Sequence, residues 1–282
     1  MIANDLGGYL HWVQQTREEW HVEDHKELWF RAEDEVHYPT RLQPGLYRPR
    51  PGEKRKPTGE LLELENHLYN EFDRCLPQLS DLSLRDDEWD PYFLMQHHGA
   101  PTRILDWSDS ALIALHFAVR DKSTPVGSGS LIYVLDAWWL VDLLKKHPDR
   151  RDAKRRWAKY CRQHPCGMDE DDWDRLYLPE EEEDANEPLL ATPSSPLLWD
   201  APHVSRRVAA QRSRFLIFGV DPTWLADLGA KRGARISAIK IPADSIGGIK
   251  QELRDAGITE SVVYPDLDGL GRELRQVWDS KR

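Results

Sequence analysis

Between Gln96 and Ala118 the chain leaves little choice of local structure. The run Gln96-His97-His98-Gly99-Ala100-Pro101-Thr102-Arg103-Ile104-Leu105-Asp106-Trp107 sets two imidazoles, a guanidinium, a carboxylate and an indole around a Gly-Ala-Pro turn. An apolar segment of helical spacing follows at once, Ala111, Ala114, Leu115 and Ala118. Gly99 and Pro101 punctuate a turn, and the small residues beyond it permit a helix to approach a sheet or another helix closely. A loop rich in ionisable groups, anchored to a buried helix, is where scaffolds place recognition or chemistry. Because perturbed ionisable groups gather at sites, five functional side chains in so short a span favour a site. The structural alternative is a hydrogen-bonded knot in which Arg103 pairs with Asp106 and Trp107 enters the core.

Periodicity outlines the rest. Tyr9, Trp12, Val13 and Trp20 predict an opening amphipathic helix, and Leu28–Arg31 a buried strand ending at the polar turn Ala32-Glu33-Asp34-Glu35. Pro44–Gly59 reads as a loop. Leu61, Leu64, Glu65, Leu68, Tyr69 and Phe72 predict a helix from Glu60 to about Cys75. Asp90-Pro91 starts another, and Ser108 or Asp109 is the expected cap of the Ala-rich helix. Strands are expected at Ser130–Leu135, bounded by Gly127-Ser128-Gly129, at Arg214–Val220, at Ile236–Ile241 and at Ser261–Tyr264. Helices are expected at Asp244–Gly257 and Leu267–Trp278, the last capped by Asp266. Without a steady βαβ rhythm this predicts an α+β fold rather than a doubly wound sheet. Residues 137–205 read as one or two helices and an irregular excursion, broken by Pro188, Pro193 and Pro196.

Hydrophobic content of 40% with 31% charged residues and 12 Trp describes a globular chain with ample core material. The longest apolar stretches are too short and too interrupted to span a bilayer, so no membrane association is expected. Met1–Leu6 lacks the basic segment and apolar core of an export signal. Three widely spaced cysteines fit a reducing cytosol, and a cytoplasmic location is the expectation. A net charge of −11 does not describe a general nucleic-acid binder, although it leaves room for a local basic cleft. Part of the acid lies in one run, Glu180–Asp184, read as a solvated loop.

Several chemical candidates fall away. His21 and His25 are spaced by one helical turn but lack the metalloprotease order, and read as an exposed helix face. Cys161, His164 and Cys166 fit no ordinary zinc module, so no metal is expected. Gly247-Gly248 reads as a turn, and no nucleophile elbow or Cys-His pair is present. Arg31, the His97–Trp107 loop, Gln211 and Tyr264–Leu270 remain. A guanidinium at the end of a buried strand needs an anionic partner, either internal, such as Asp106, or a bound phosphate held bidentately. Gln211 either points an amide into a cleft or caps a strand at the surface.

Together these segments resemble the FRG domain family. Its Phe-Arg-Gly signature stands here as Phe30-Arg31-Ala32, and the Gln96–Trp107 run with Ala111, Ala114, Leu115, Phe117 and Ala118 is similar to its most distinctive block. Arg207–Phe215 resembles a later element, with Ser213 where a glycine is usual, and Tyr264-Pro265-Asp266-Leu267-Asp268-Gly269-Leu270 its C-terminal motif. The resemblance extends over about 25–275. It implies one domain, with a core at about 25–136 and 206–275 and an insertion at 137–205. More distantly, the chain looks like the three-part core of ADP-ribosyltransferases. That likeness implies one mixed, mostly antiparallel split sheet flanked by helices. It also implies NAD as co-substrate, with Arg31 as its anchor, His97 or His98 lining the nicotinamide site, and Arg103 and Thr102 as further cofactor contacts. Where such enzymes carry a third-strand glutamate this chain has Gln211, so the carboxylate would be Asp106.

The implied activity is that of a toxin or phage-defence effector that cleaves the nicotinamide glycosidic bond and modifies a macromolecule, protein or nucleic acid, under an antitoxin or other regulatory partner. A second reading is a non-catalytic nucleotide or nucleic-acid sensor using the same groups. A third makes the loop structural and the module an interaction domain.

Overall fold

The computed structural model describes residues 1–79, 89–120, 128–163, 169–179, 191–200 and 205–280. In chain order the elements are α1 (Leu6–Glu19), β1 (Leu28–Asp34), α2 (Thr58–Leu79), α3 (Trp89–His97), β2 (Ile104–Ser108), α4 (Ala111–Val119), β3 (Ser130–Asp136), α5 (Ala137–Lys145), α6 (Pro148–Gln163), β4 (Leu197–Trp199), α7 (Arg206–Ala210), β5 (Ser213–Ile217), α8 (Trp224–Gly229), β6 (Ile236–Ile241), α9 (Ile246–Asp255), α10 (Glu260–Val263) and α11 (Leu267–Ser280). The fold is α+β. Its strands form one open sheet in the order β4-β5-β2-β1-β3-β6. Every ladder between named strands is antiparallel, and among the described residues the one parallel contact is an isolated bridge from Ile2 to Lys240.

Alternation along the strands sorts side chains onto two faces. Trp29, Leu105, Tyr133, Leu135 and Leu216 point to one face and pack with α5, α8 and the loop at Leu42–Tyr47. On the other face two separate cores form. One gathers Phe30, Ile132, Val134 and Ile239 under α1, α4 and α9. The second gathers Ile104, Phe215 and Ile217 under α3 and α6. The sheet divides between these two cores, because β1 and β2 share a single registered pair, Phe30 with Ser108, whereas β1 and β3 share seven.

The helices follow the spacing of their apolar residues, with some shifts of boundary. The Ala-rich helix α4 is capped by Ser110, whose Oγ accepts from the Ile113 amide, and not by Ser108 or Asp109. Those two are engaged elsewhere: the Ser108 hydroxyl donates to the Gln211 carbonyl at 2.7 Å, and Asp109 pairs with Arg212 and Arg214. Strand β1 runs on through Glu33 and Asp34 where a polar turn is expected. Arg31 and Arg48 both bond the buried Glu33 carboxylate, which makes that polar stretch compatible with an interior strand.

Other expectations change more. Ser261–Tyr264 is no strand; Ser261–Val263 lie in α10, with the Ser261 amide donating to Glu273 at 2.9 Å. Gly247-Gly248 lies in the first turn of α9. His21 and His25 follow α1 in a turn rather than lying on its face. Residues 137–205 do more than overlie the body: they supply α5, α6 and the edge strand β4, which pairs with β5. The segment before β4 also seats against Gly219, where a Cβ would stand 1.8 Å from the Pro193 carbonyl oxygen. Gly127, His164, Cys166, the Glu180–Asp184 run, Pro188 and much of the 179–203 excursion lie outside the described residues. No helix among the described residues is long and apolar enough to cross a membrane.

Candidate functional site

Where β1 and β2 part, a cavity of about 410 Å³ opens between the two cores. Beyond the Phe30–Ser108 pair the strands diverge, so Arg31 and Ala32 on one side and Asp106 and Trp107 on the other line a wedge. The Arg31 guanidinium bridges this wedge. Its Nη1 donates to the Asp106 carbonyl at 2.7 Å, where a ladder bond is missing, and its Nε donates to Glu33 at 2.9 Å. The internal partner of Arg31 is therefore the Glu33 carboxylate with the backbone of Asp106, and not the Asp106 side chain.

Two helices bring the remaining groups. α3 ends in a turn that uses Gly99 at φ +85°, with the Gly99 amide bonded to the Gln96 carbonyl and the Ala100 amide to the Met95 carbonyl. That closure leaves Gln96 and His97 on the cavity side and His98 exposed, outside the cavity lining. The Gln96 amide donates to Asp106 Oδ2 at 2.7 Å, and its carbonyl accepts from the Thr102 hydroxyl at 2.5 Å. Thr102 thus lies buried one layer behind the cavity and fixes which way the Gln96 amide points. Gln211, at the end of α7, also lines the cavity, its Nε2 donating to the Val263 carbonyl at 3.4 Å. Aromatic walls complete the space, Phe93 and Phe215 on one side, Phe117 and Tyr264 on the other.

The local electrostatics are set by enclosure. The Asp106 carboxyl opens onto the cavity yet is surrounded by protein, which lifts it above the usual carboxylate range. Arg31 and the Gln96 hydrogen bond oppose that rise. The half-buried His97 imidazole is held below its ordinary value by desolvation, then by the neighbouring His98 and Arg207, with Asp266 pulling the other way. Among the described residues no group of three His, Cys, Asp or Glu is placed to hold a metal ion.

Arg103 is not at the cavity. It is buried behind β2, its backbone amide donating to Glu65 Oε1 at 2.7 Å, its Nε to Glu65 Oε2, and its Nη2 to the Tyr177 carbonyl at 2.9 Å. The structural alternative pairs it with Asp106, and the cofactor reading places it against a ligand; its observed partner is Glu65 of α2. Glu65 sits inside the apolar stripe of that helix, and a carboxylate in such a stripe is the sequence signal for a buried cation. Trp107, by contrast, does enter the core, 3% exposed.

A rim residue also emerges that sequence reasoning gave no role. Arg207 lines the cavity, its Nε bonded to Asp266, with its guanidinium 5.3 Å from the centre of the Tyr264 ring. Asp266 is itself fixed, accepting from the Gly269 amide at 2.8 Å, as the expected cap of α11. Gly269 is required there, because a Cβ would stand 2.0 Å from the Tyr264 carbonyl oxygen.

Residues 26–126 match the FRG domain. The FRG match covers β1, α3, β2 and α4, and so Arg31, Gln96, His97 and Asp106; Arg207, Gln211 and Tyr264 complete the cavity from beyond it. No curated protein and no solved structure matches the chain.

Proposed function

We propose that this cavity binds NAD and that the protein is an ADP-ribosyltransferase-like effector, its divided sheet the counterpart of that enzyme core. One observation carries the reading. Arg31, His97, Asp106 and Gln211, drawn from four separate elements, line one aromatic-walled cavity of a size suited to a small-molecule ligand. Rings on both sides suit the planar groups of a dinucleotide.

The chemistry follows from the carboxylate. As the bond between ribose C1′ and the nicotinamide nitrogen breaks, the electron pair leaves with nicotinamide and positive charge develops on the sugar. Asp106 faces the cavity with Oδ1 uncommitted to any side chain among the described residues, while Gln96 holds Oδ2, so it is positioned to stabilise that charge. Gln211 offers an amide to a ribose hydroxyl. His97, held neutral at pH 7 by its surroundings, takes the proton of an acceptor nucleophile that attacks C1′. Water as acceptor gives a glycohydrolase; a protein or nucleic acid gives a transferase of toxin or phage-defence type.

The test is nicotinamide release from NAD by purified protein, alone and with cell extract as a source of acceptor. Release that disappears in Asp106→Asn supports the reading. A second reading, a nucleotide sensor without turnover, is favoured by Gln211 standing where a carboxylate is expected. Saturable NAD binding with no nicotinamide in either condition would select it.

A further inference from the structure

The cavity presents two guanidiniums, and they differ in how many donors they have left. Arg31 has its Nε on Glu33 and its Nη1 on the Asp106 carbonyl, so it is committed to the sheet. Arg207 uses only Nε, on Asp266. Among the described residues Nη1 and Nη2 carry no hydrogen bond; the nearest carboxylate oxygen beyond Asp266 is on Asp268, 3.7 Å from Nη2. A guanidinium fork whose two terminal nitrogens carry no hydrogen bond among the described residues matches the geometry of a phosphate or carboxylate.

The fork is also held still. Asp266 fixes one edge, and the Tyr264 ring lies beneath. That ring is clamped by Arg120 at 4.1 Å and Arg272 at 4.6 Å, and Arg120 also bonds its hydroxyl. Arg120 and Arg272 both donate to the buried Glu260, so the clamp is anchored in α10. An arginine fixed by a capping aspartate and an immobilised ring loses little freedom when an anion arrives. The ring-walled interior beside it asks for an aromatic group on the same ligand.

We infer that Arg207 is the phosphate-recognising group of the cavity, and that Asp266 positions it. This rests on the nucleotide reading above, but moves recognition of the anion from Arg31 to the rim. Arg31 is then the bridge that keeps the wedge between β1 and β2 in shape.

Calorimetric titration of the full chain with adenosine, AMP and ADP-ribose tests this. In the wild type, the phosphate-bearing ligands are expected to bind roughly ten- to hundred-fold more tightly than adenosine. In Arg207→Gln that preference collapses, while adenosine affinity stays within about twofold. Asp266→Asn, which keeps the guanidinium but frees it, gives an intermediate preference. Arg207→Lys, to be read if the glutamine variant does not fold, keeps charge without the fork and also falls short of wild type. An undiminished preference for phosphate in the glutamine variant, or a lysine variant equal to wild type, overturns the inference and leaves the nucleotide reading standing. Failure of the folded wild type to bind any of the three ligands removes both.

Discussion

Arg31 lies on β1 and Arg103 just before the neighbouring β2, each meets a glutamate, and their surroundings give them opposite roles. Arg103 is 2% exposed and closed in by Glu65, Tyr92 and the Tyr177 carbonyl. Burial is the largest influence and disfavours its charge, yet the surrounding groups, Glu65 first among them, together outweigh that cost and keep the cation. Arg31 shares its Glu33 with Arg48 and reaches across a gap in the sheet to a cavity. The lesson concerns geometry rather than residue type. A guanidinium whose partner is sealed with it holds elements together, whereas one at a strand divergence shapes a space for something else.

The sharpest way to break the comparison is to remove Glu65. Glu65→Ala strands Arg103 in the interior, and losing one partner of a buried pair costs about 3–5 kcal/mol. Denaturant unfolding should show that loss. A drop under about 1 kcal/mol would mean that the Arg103 cluster is no more structural than the cavity.

Asp106→Asn should do the reverse, lowering nicotinamide release by roughly a hundred-fold or more with little change in fold. Its stability carries a signed prediction. Because the folded carboxyl is raised, the folded chain holds its proton better than the unfolded one. Asp106 therefore favours folding at low pH and loses that contribution as pH rises from 3.8 through the folded value. The wild type should gain on Asp106→Asn as pH is lowered through this window, measured by paired melts. Parallel curves would show that the carboxylate is solvated like any surface group.

Arg31→Ala sits between these two in its effect. It removes charge-assisted bonds of about 1.5–3 kcal/mol in total, and Arg48 remains to neutralise Glu33. Here stability and ligand binding should fall together, since the wedge loses its bridge. Ligand affinity lost with unchanged stability would instead return Arg31 to the role of direct anion anchor.

The same contrast explains what could be read in advance. Ile236–Ile241 alternates between two cores and was predictable to the residue. Arg31, His97 and Asp106 were legible as a group, because polar side chains flanked by buried aromatics need a reason to be there. Their meeting at a split between β1 and β2 was not legible, since it depends on a ladder of one registered pair. Ser261–Tyr264 misled because two valines and a tyrosine suit a strand locally, while Glu260, buried among Arg120 and Arg272, holds the chain as a helical turn. β4 hid among prolines, being three residues long and defined only by β5 beside it. The Arg103–Glu65 pair spans 38 positions, and only the carboxylate inside an apolar stripe hinted at it.

The smallest expected effect on stability belongs to His97, and it separates a chemical role from a packing role. Desolvation, then the neighbouring His98 and Arg207, keep the folded imidazole easier to deprotonate than the unfolded one. Its share of stability is complete above the unfolded value of 6.5 and declines as pH falls through the depressed folded value. His97→Gln should flatten that decline in a series of melts, with no difference above neutrality. If His97 also accepts a proton from the acceptor nucleophile, ADP-ribosyl transfer should fall by about a hundred-fold in the variant and lose its acid limb. Simple hydrolysis, where water needs the same help, should fall in step. A variant that loses the stability limb yet keeps the rate profile would leave His97 as wall rather than base, and Asp106 would carry the chemistry of the cavity with Gln211 alone.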